Sequence, residues 1–370
     1  MVRVLHYIGG LGFGGSQMFV MGLYRNIDRE KVQFDFVVFD NQLEGFQKEI
    51  IKMGGKIYKC PRYQGKNHIA FQKWWKTFFQ KHQEYPIFHC HVRSTASLCI
   101  HTAKRYGIIV IAHSHSISNG SGFRGKIKDI MQIPVRWQAD YLFACSEKAG
   151  RWMYGRAAVK RNNYRVIFNA IDTKRFQYNK EERMKVRKSL KIDKQYVIGT
   201  VGRLTEAKNQ KFLIDLFADI HKKNAETILL IVGDGELRGV LEQQVKNLGL
   251  SDYVIFTGNK SNTQDYYQAM DVFVFPSLWE GLGISVIEAQ CCGLPCIVSE
   301  RIPKEIDMKA KLVFIVNLKK KEEWVKQIQK QKGRERFSQV KALKKAGYDI
   351  NCVTQWIQNF YSCLAGSINE

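Results

Sequence analysis

Short apolar runs recur along the chain, and each is followed by a stretch whose apolar residues fall three and four apart. In the first half the runs are VRVLHYI, FDFVVF, IFHCH, IIVIAHSH and YLFAC; in the second they are VIGTVG, TILLIVG, VIFTG, VFVFP and PCIV. Such runs read as strands, and intervening segments such as 209–222 and 237–248 read as helices. Alternation of this kind predicts parallel sheets with helices on both faces. The series breaks near VIFNAIDTKRF and the charged stretch NKEERMKVRKSLKIDK, then restarts at Val197. The expectation is an α/β protein of two doubly wound domains, residues 1–172 and 173–347. The tail YDINCVTQWIQNFYSCL, residues 348–364, reads as one more amphipathic helix that packs back towards the first domain. Open parallel sheets bind ligands outside the carboxyl ends of their strands, so the strand-end turns are where chemistry is sought.

Length agrees with two domains, since 370 residues exceed what one core usually holds. No apolar run reaches the ~18 residues of a membrane span, and the first residues enter a strand without an export-type leader. A cytoplasmic protein is expected. Nine cysteines with no framework spacing fit reduced thiols. The cluster Cys291, Cys292 and Cys296 has no nearby histidine and reads as a helix-to-strand turn rather than a metal site. The net charge of +24 adds a question about partners. Residues 1–172 hold 26 basic against 11 acidic residues, residues 173–370 hold 32 against 23. Nucleic acid, an anionic membrane or phosphorylated substrates would each suit that excess.

The turns narrow the choice. Gly10, Gly12 and Gly15 follow the first strand with the spacing of a dinucleotide-binding loop, and Gly14 and Gly15 open the helix after it. A dehydrogenase would then need a ribose-binding acid at the end of the second strand. Asp35 lies too early in FDFVVF for that, and Asp40 comes late, 25 residues after Gly15. In the second half, VGRLTEAKNQ ends a strand with Gly202 and Arg203 and places Lys208 just before a helix start marked by Asn209. Two cations on one side of a turn suit a polyanion, although a solvated charged loop reads the same way. Gly233 lies in GDGE, another strand-end turn. PSLWEGLGISVIEAQCCGLP runs from a strand into a helix. Glu280 falls before the helix and Glu288 two turns inside it. Between them the backbone N–H groups of Gly281, Leu282, Gly283, Ile284 and Ser285 can hold a phosphate.

VGRL with its following lysine, VGDG and the Glu-x7-Glu segment resemble the donor half of glycosyltransferase family 4, retaining enzymes of the GT-B fold. HYIGGLGFGGSQ, IAHSHS, ACSEKAGRWMYG and VIFNAIDTKRF resemble the acceptor half, with Ala170 standing where the family more often has glycine. The resemblance covers nearly the whole chain and is closest to bacterial capsular and exopolysaccharide transferases. It implies two Rossmann-like domains facing a central cleft. It implies transfer, with retention, of a sugar from a nucleotide diphosphate, UDP being the first choice, to a glycan or polyprenyl-diphosphate-linked acceptor. By position, Arg203 and Lys208 would neutralise the diphosphate, Glu288 would hold the ribose and Glu280 the donor sugar. His115 would be the donor-site histidine, with His113 second. Gly14 and Gly15 would let the acceptor half approach the donor. With no Asp-x-Asp motif, transfer is expected to need no metal and no cofactor.

The basic, aromatic stretches 51–83 and 121–137 suggest contact with an anionic membrane surface, while Ile69, Trp74, Trp75, Phe78 and Phe79 are expected to pack on the sheet. Other readings are a nucleotide-sugar epimerase or a phosphorylase of the same fold, a basic nucleic-acid-binding protein, and the dehydrogenase of the glycine loop.

Overall fold

The computed structural model describes residues 1–12, 14–39, 45–117 and 122–369. Asp40 and the start of the second basic stretch lie outside the described residues, as do the side chains at 124 and 367–369. The chain forms two compact units, one of residues 1–170 with 349–370, the other of residues 171–348.

The first unit holds a seven-stranded sheet of β1 (Val2–Tyr7), β2 (Val32–Phe39), β3 (Ile57–Cys60), β4 (Ile87–Cys90), β5 (Ile109–Ser114), β6 (Tyr141–Ala144) and β7 (Tyr164–Val166). Its order is β3-β2-β1-β4-β5-β6-β7, and every pair is parallel. The core beneath one face gathers Phe19, Val20 and Leu23 from the helix Gly15–Asn26 and Ile350, Ile357 and Tyr361 from the helix Ile350–Asn369. The terminal helix thus covers a sheet whose first strand, Val2–Tyr7, lies at the other end of the chain.

The second unit holds β8 (Tyr196–Val201), β9 (Thr227–Val232), β10 (Val254–Phe256), β11 (Val272–Phe275), β12 (Cys296–Ser299) and β13 (Val313–Val316), ordered β10-β9-β8-β11-β12-β13 and again all parallel. Strands β8, β9, β11 and β12 are buried at every residue, which is why they read as unbroken apolar runs. Order reverses between β1 and β4 in one sheet and between β8 and β11 in the other. Such switch points open crevices at the carboxyl ends of the strands.

Three strands escape the apolar-run criterion: β3, β7 and β13. All three are sheet edges; β3 (IYKC) and β7 (YRV) each carry a basic residue that interrupts the apolar run, whereas β13 (VFIV) is a short apolar run despite the exposed Ile315. The predicted helices at 209–222 and 237–248 are Gln210–Lys223 and Arg238–Asn247. Asn209 does not cap the first with its side chain; its amide donates to the Pro276 carbonyl at 3.2 Å. The aromatic helix His68–Lys81 buries Phe71, Trp75, Phe78 and Phe79. Ile69 does not join them: it lies on the opposite side of the helix from Phe71 and is 83% exposed, while Trp74 is half-buried and stacks on Phe78.

All nine cysteines are free. Cys291 and Cys292 donate to the carbonyls of Thr173 and Phe176, tying the start of the second unit to its own helix. No helix among the described residues is long and apolar enough to cross a membrane.

Candidate functional site

At the switch point of the second unit, two loops are stitched together. The first follows β8 and the second follows β11. The Leu278 N–H donates to the Ala207 carbonyl at 2.8 Å, beside the Asn209–Pro276 bond. This brings Lys208 Nζ to 2.5 Å from Glu280 Oε1 and 4.7 Å from the centroid of Phe275. Both partners are only slightly exposed, 20% and 13%. A lysine held between a carboxylate and an aromatic face is a positioned cation rather than a solvated one. Arg203 sits on the same loop, is exposed, and makes no side-chain hydrogen bond or ion pair among the described residues.

Glycine is required here by close backbone approach. Gly233 has φ +132°, bridges to Gly258, and a Cβ on it would lie 2.1 Å from the Gly202 carbonyl oxygen. Gly202 in turn packs against the Lys208 stem, since a Cβ there would meet Lys208 Cε at 3.4 Å. The ends of β8, β9 and β11 are therefore packed backbone to backbone around Lys208, and Gly202, Lys208, Gly233 and Glu280 form one cluster.

Gly283 caps the helix Ile284–Cys291 with φ +93°, a left-handed conformation that glycine adopts without cost. Leu282 is buried beneath the turn and Ile284 begins the helix. The N–H groups of a first helical turn lack intrahelical acceptors and carry the positive end of the helix dipole. They lie on the segment that also carries Glu280.

Glu288 stands apart from that cluster. It lies in the second turn of the helix rather than two full turns in, and accepts a hydrogen bond from the Tyr267 hydroxyl at 2.7 Å. Burial pushes its carboxyl up to about 7, against the lowering effects of Tyr267 and the Arg175 cation. A carboxyl poised near neutrality and half-buried suits exchange of hydroxyl hydrogen bonds.

In the first unit, Gly14 caps the helix Gly15–Asn26 in extended conformation. A Cβ on Gly15 would meet no atom within 4 Å, so no described residue demands glycine there. Asp35 is no ribose ligand. It is buried inside β2, where it accepts from Arg3 (2.7 Å), the Tyr85 hydroxyl (2.7 Å) and the Lys56 N–H (2.6 Å).

His115 follows β5 and is half-buried, with both ring nitrogens engaged. Nδ1 lies 3.1 Å from Asn169 Oδ1, and Nε2 lies 2.9 Å from His91 Nδ1. Burial first, and the Arg93 cation next to it, bring its pKa down to about 4 against the raising effect of Asn169, so the ring is neutral at pH 7. His113 is fully buried and its Nδ1 meets His89 Nε2 at 3.2 Å. The motifs point to neither His91 nor Asn169, nor to Tyr267. The signal for the first was the doublet HCH beside HSH on neighbouring strands.

Residues 182–349 match the family of glycosyl transferases group 1, and residues 13–175 match glycosyltransferase family 4. The chain is 32% identical over 324 residues to the putative glycosyltransferase EpsF of Bacillus subtilis, covering 85% of this chain and 84% of that one. It is 28% identical over 231 residues to UDP-Gal:alpha-D-GlcNAc-diphosphoundecaprenol alpha-1,3-galactosyltransferase of Escherichia coli, covering 59% of each. The solved structure of Anabaena Alr3699/HepE in complex with UDP-glucose superimposes with a TM-score of 0.80 at 19% identity, over 98% of this chain and 100% of that one. WaaG, a glycosyltransferase involved in lipopolysaccharide biosynthesis, gives 0.75 at 14% identity, over 97% and 99%.

Proposed function

The chain belongs to the GT-B glycosyltransferases, and from that premise we propose that it moves a hexose, with retention, from a UDP-sugar to a hydroxyl of a glycan or lipid-linked oligosaccharide in surface polysaccharide synthesis. The observation that carries the donor assignment is Lys208 clamped between Glu280 and Phe275 at the switch point of the second sheet. A leaving diphosphate bears roughly two to three negative charges, which Lys208, Arg203 and the helix N-terminus at Gly281–Ser285 offset without a metal. Glu288 receives the ribose hydroxyls. Glu280, already paired with a lysine, is a weak nucleophile and serves to orient the sugar. Attack then comes from the face the leaving group departs, with the phosphate oxygen taking the acceptor proton. His115 reaches the sugar by exchanging its His91 contact for a substrate hydroxyl. The named activity of the E. coli relative supports a lipid-linked acceptor, and its UDP-Gal donor and the UDP-glucose held by the Anabaena structure support uridine.

An acceptor of that kind lies at a membrane, and we place this protein at the inner face of one. The helix Gly122–Gln132 and the short helix Val135–Gln138 after it support that placement. Phe123, Ile130 and Trp137 are 78%, 66% and 64% exposed, with Lys126, Lys128 and Arg136 interspersed.

Calorimetric titration with UDP, GDP and their sugars, with and without EDTA, tests the donor reading. UDP is expected to bind with unchanged affinity in EDTA, and K208A or R203A to weaken it by about tenfold to a hundredfold. Preference for GDP, or a divalent ion that restores lost binding and turnover, would overturn the uridine or the metal-free assignment. Product NMR showing an inverted anomer, or a glycosyl adduct trapped on Glu280, would remove the mechanism.

A further inference from the structure

Transfer as described uses one of five imidazoles that stand together in the first unit. His6 lies on β1, His89 on β4 and His113 on β5, while His91 and His115 follow the ends of β4 and β5. Side chains alternate along a strand, so 89 and 91 share a face, as do 113 and 115, and the register sets His6 beside His89. The rings stack in a row, with centroids 4.2 Å apart for His89–His91 and 4.1 Å for His113–His115. Phenyl rings would fill this space without polar atoms. The imidazoles instead leave Nε2 of His6 buried with no hydrogen-bond partner among the described residues, and Nε2 of His113 buried without a well-formed one, its ring facing the Ile167 backbone. A buried nitrogen without a partner is costly to leave unpaired.

We propose that His91, His113 and His115 form a binding site for a divalent transition-metal ion of the Zn²⁺ class. These three side chains offer ligand nitrogens within 4.8 Å of one another. Each ring has an outer partner that fixes it: His115 Nδ1 meets Asn169, His91 Nε2 meets His6 Nδ1 at 3.0 Å, and His113 Nδ1 meets His89 Nε2. Metal-bound histidines are typically oriented in this way, through the nitrogen that does not ligate. That leaves His115 Nε2 and His91 Nδ1, 2.9 Å apart, and the buried Nε2 of His113. Small ring movements bring such nitrogens to the ~2.0–2.1 Å that zinc requires. His6, His89 and His91 make a second triad, but all three are buried, whereas His115 is half-exposed and gives an ion a way in.

The donor set decides the metal. Three neutral nitrogens and no carboxylate suit Zn²⁺, Cu²⁺ or Ni²⁺ and discriminate against Mg²⁺ and Mn²⁺. The site is therefore distinct from the metals that glycosyl transfer elsewhere employs. Arg93, whose charge acts on His115, opposes a dication and keeps binding moderate and reversible. A bound ion would immobilise His115 and take it from the sugar. That consequence rests on the role of His115 proposed above, while the binding itself does not.

The test is Zn²⁺ titration of chelator-treated protein without donor, in a C352S/C363S background that removes the two exposed thiols. One ion per chain is expected, with Cu²⁺ in its place showing nitrogen hyperfine structure from imidazoles. H115A, checked for an unchanged thermal transition, is expected to bind at least about tenfold more weakly, and H115Q to behave likewise. Transfer should fall on saturation with Zn²⁺ and return with EDTA. Absence of saturable Zn²⁺ binding, or equal binding by H115A, would overturn the site. Tight binding with no loss of transfer would keep the site and overturn only the role of His115.

Discussion

Glu288 carries a carboxyl whose pKa, about 7, lies well above its ordinary value because burial withdraws it from water, against the lowering effect of the Tyr267 hydrogen bond. In the ribose-holding role proposed for Glu288 the ionised form accepts O–H groups best, so the sign follows directly. Below pH 7 the group is mostly protonated and donor binding weakens; above it the carboxylate is present and binding strengthens. Between pH 6 and pH 8 the ionised fraction rises about tenfold, and KM for the donor is expected to fall by about that factor. E288Q should bind weakly and without that slope, and Y267F, which removes a hydrogen bond that favours the carboxylate, should move the profile to higher pH. A flat wild-type profile would show that Glu288 does not meet the donor. The sequence makes Glu280 and Glu288 legible because a strand, a glycine turn and a helix start fix their setting within one segment. Tyr267 and Arg175 come from other segments, and no local spacing connects them to Glu288.

The helix Gly122–Gln132 shows how an element departs from the expectation that apolar periodicity means core. Its apolar residues Phe123, Ile127 and Ile130 are exposed, as are Ile133 and Trp137 just beyond. In the helix His68–Lys81 a similar pattern is mostly buried. Periodicity reports a face but not what covers it, and only the tertiary packing separates the two. An edge strand differs for a related reason: β3 is mostly half-buried and carries Lys59, which interrupts its apolar run, whereas the central strands are readable residue by residue. If the exposed helix face docks on lipid, its apolar residues insert while Lys126 and Lys128 meet anionic headgroups. Co-sedimentation with vesicles containing phosphatidylglycerol is expected, and F123A/I130A should reduce the bound fraction several-fold with UDP binding unchanged. Equal sedimentation of variant and parent, or none by the parent at moderate salt, would exclude this helix as the anchor.

The two units of the molecule differ in how they answer to acid. Eight of the nine histidines lie in the first unit, and five of these form its stacked row; His221 alone lies in the second. Burial holds His6 down to about 3 and His115 to about 4, and holds His89, His91 and His113 well below the ordinary value, with neighbouring imidazoles adding to it. An unfolded histidine takes its proton near pH 6.5. Between pH 6.5 and about 4 the unfolded chain therefore binds protons that the folded first unit refuses, and stability falls as pH falls. Each such group contributes a slope of up to about 1.4 kcal/mol per pH unit, and domains have only about 5–15 kcal/mol in total. The terminal helix is bound to the same event, because Tyr361 packs over the row and its hydroxyl lies 2.6 Å from His89 Nδ1. Hydrogen exchange at pH 7 and pH 5, corrected for intrinsic rate, should show protection lost together across residues 1–170 and 349–369. Residues 171–348 should keep theirs until their carboxylates titrate. Uniform loss in both units, or none by pH 5, would mean that the histidines are hydrated in solution and that their row is not the closed stack described.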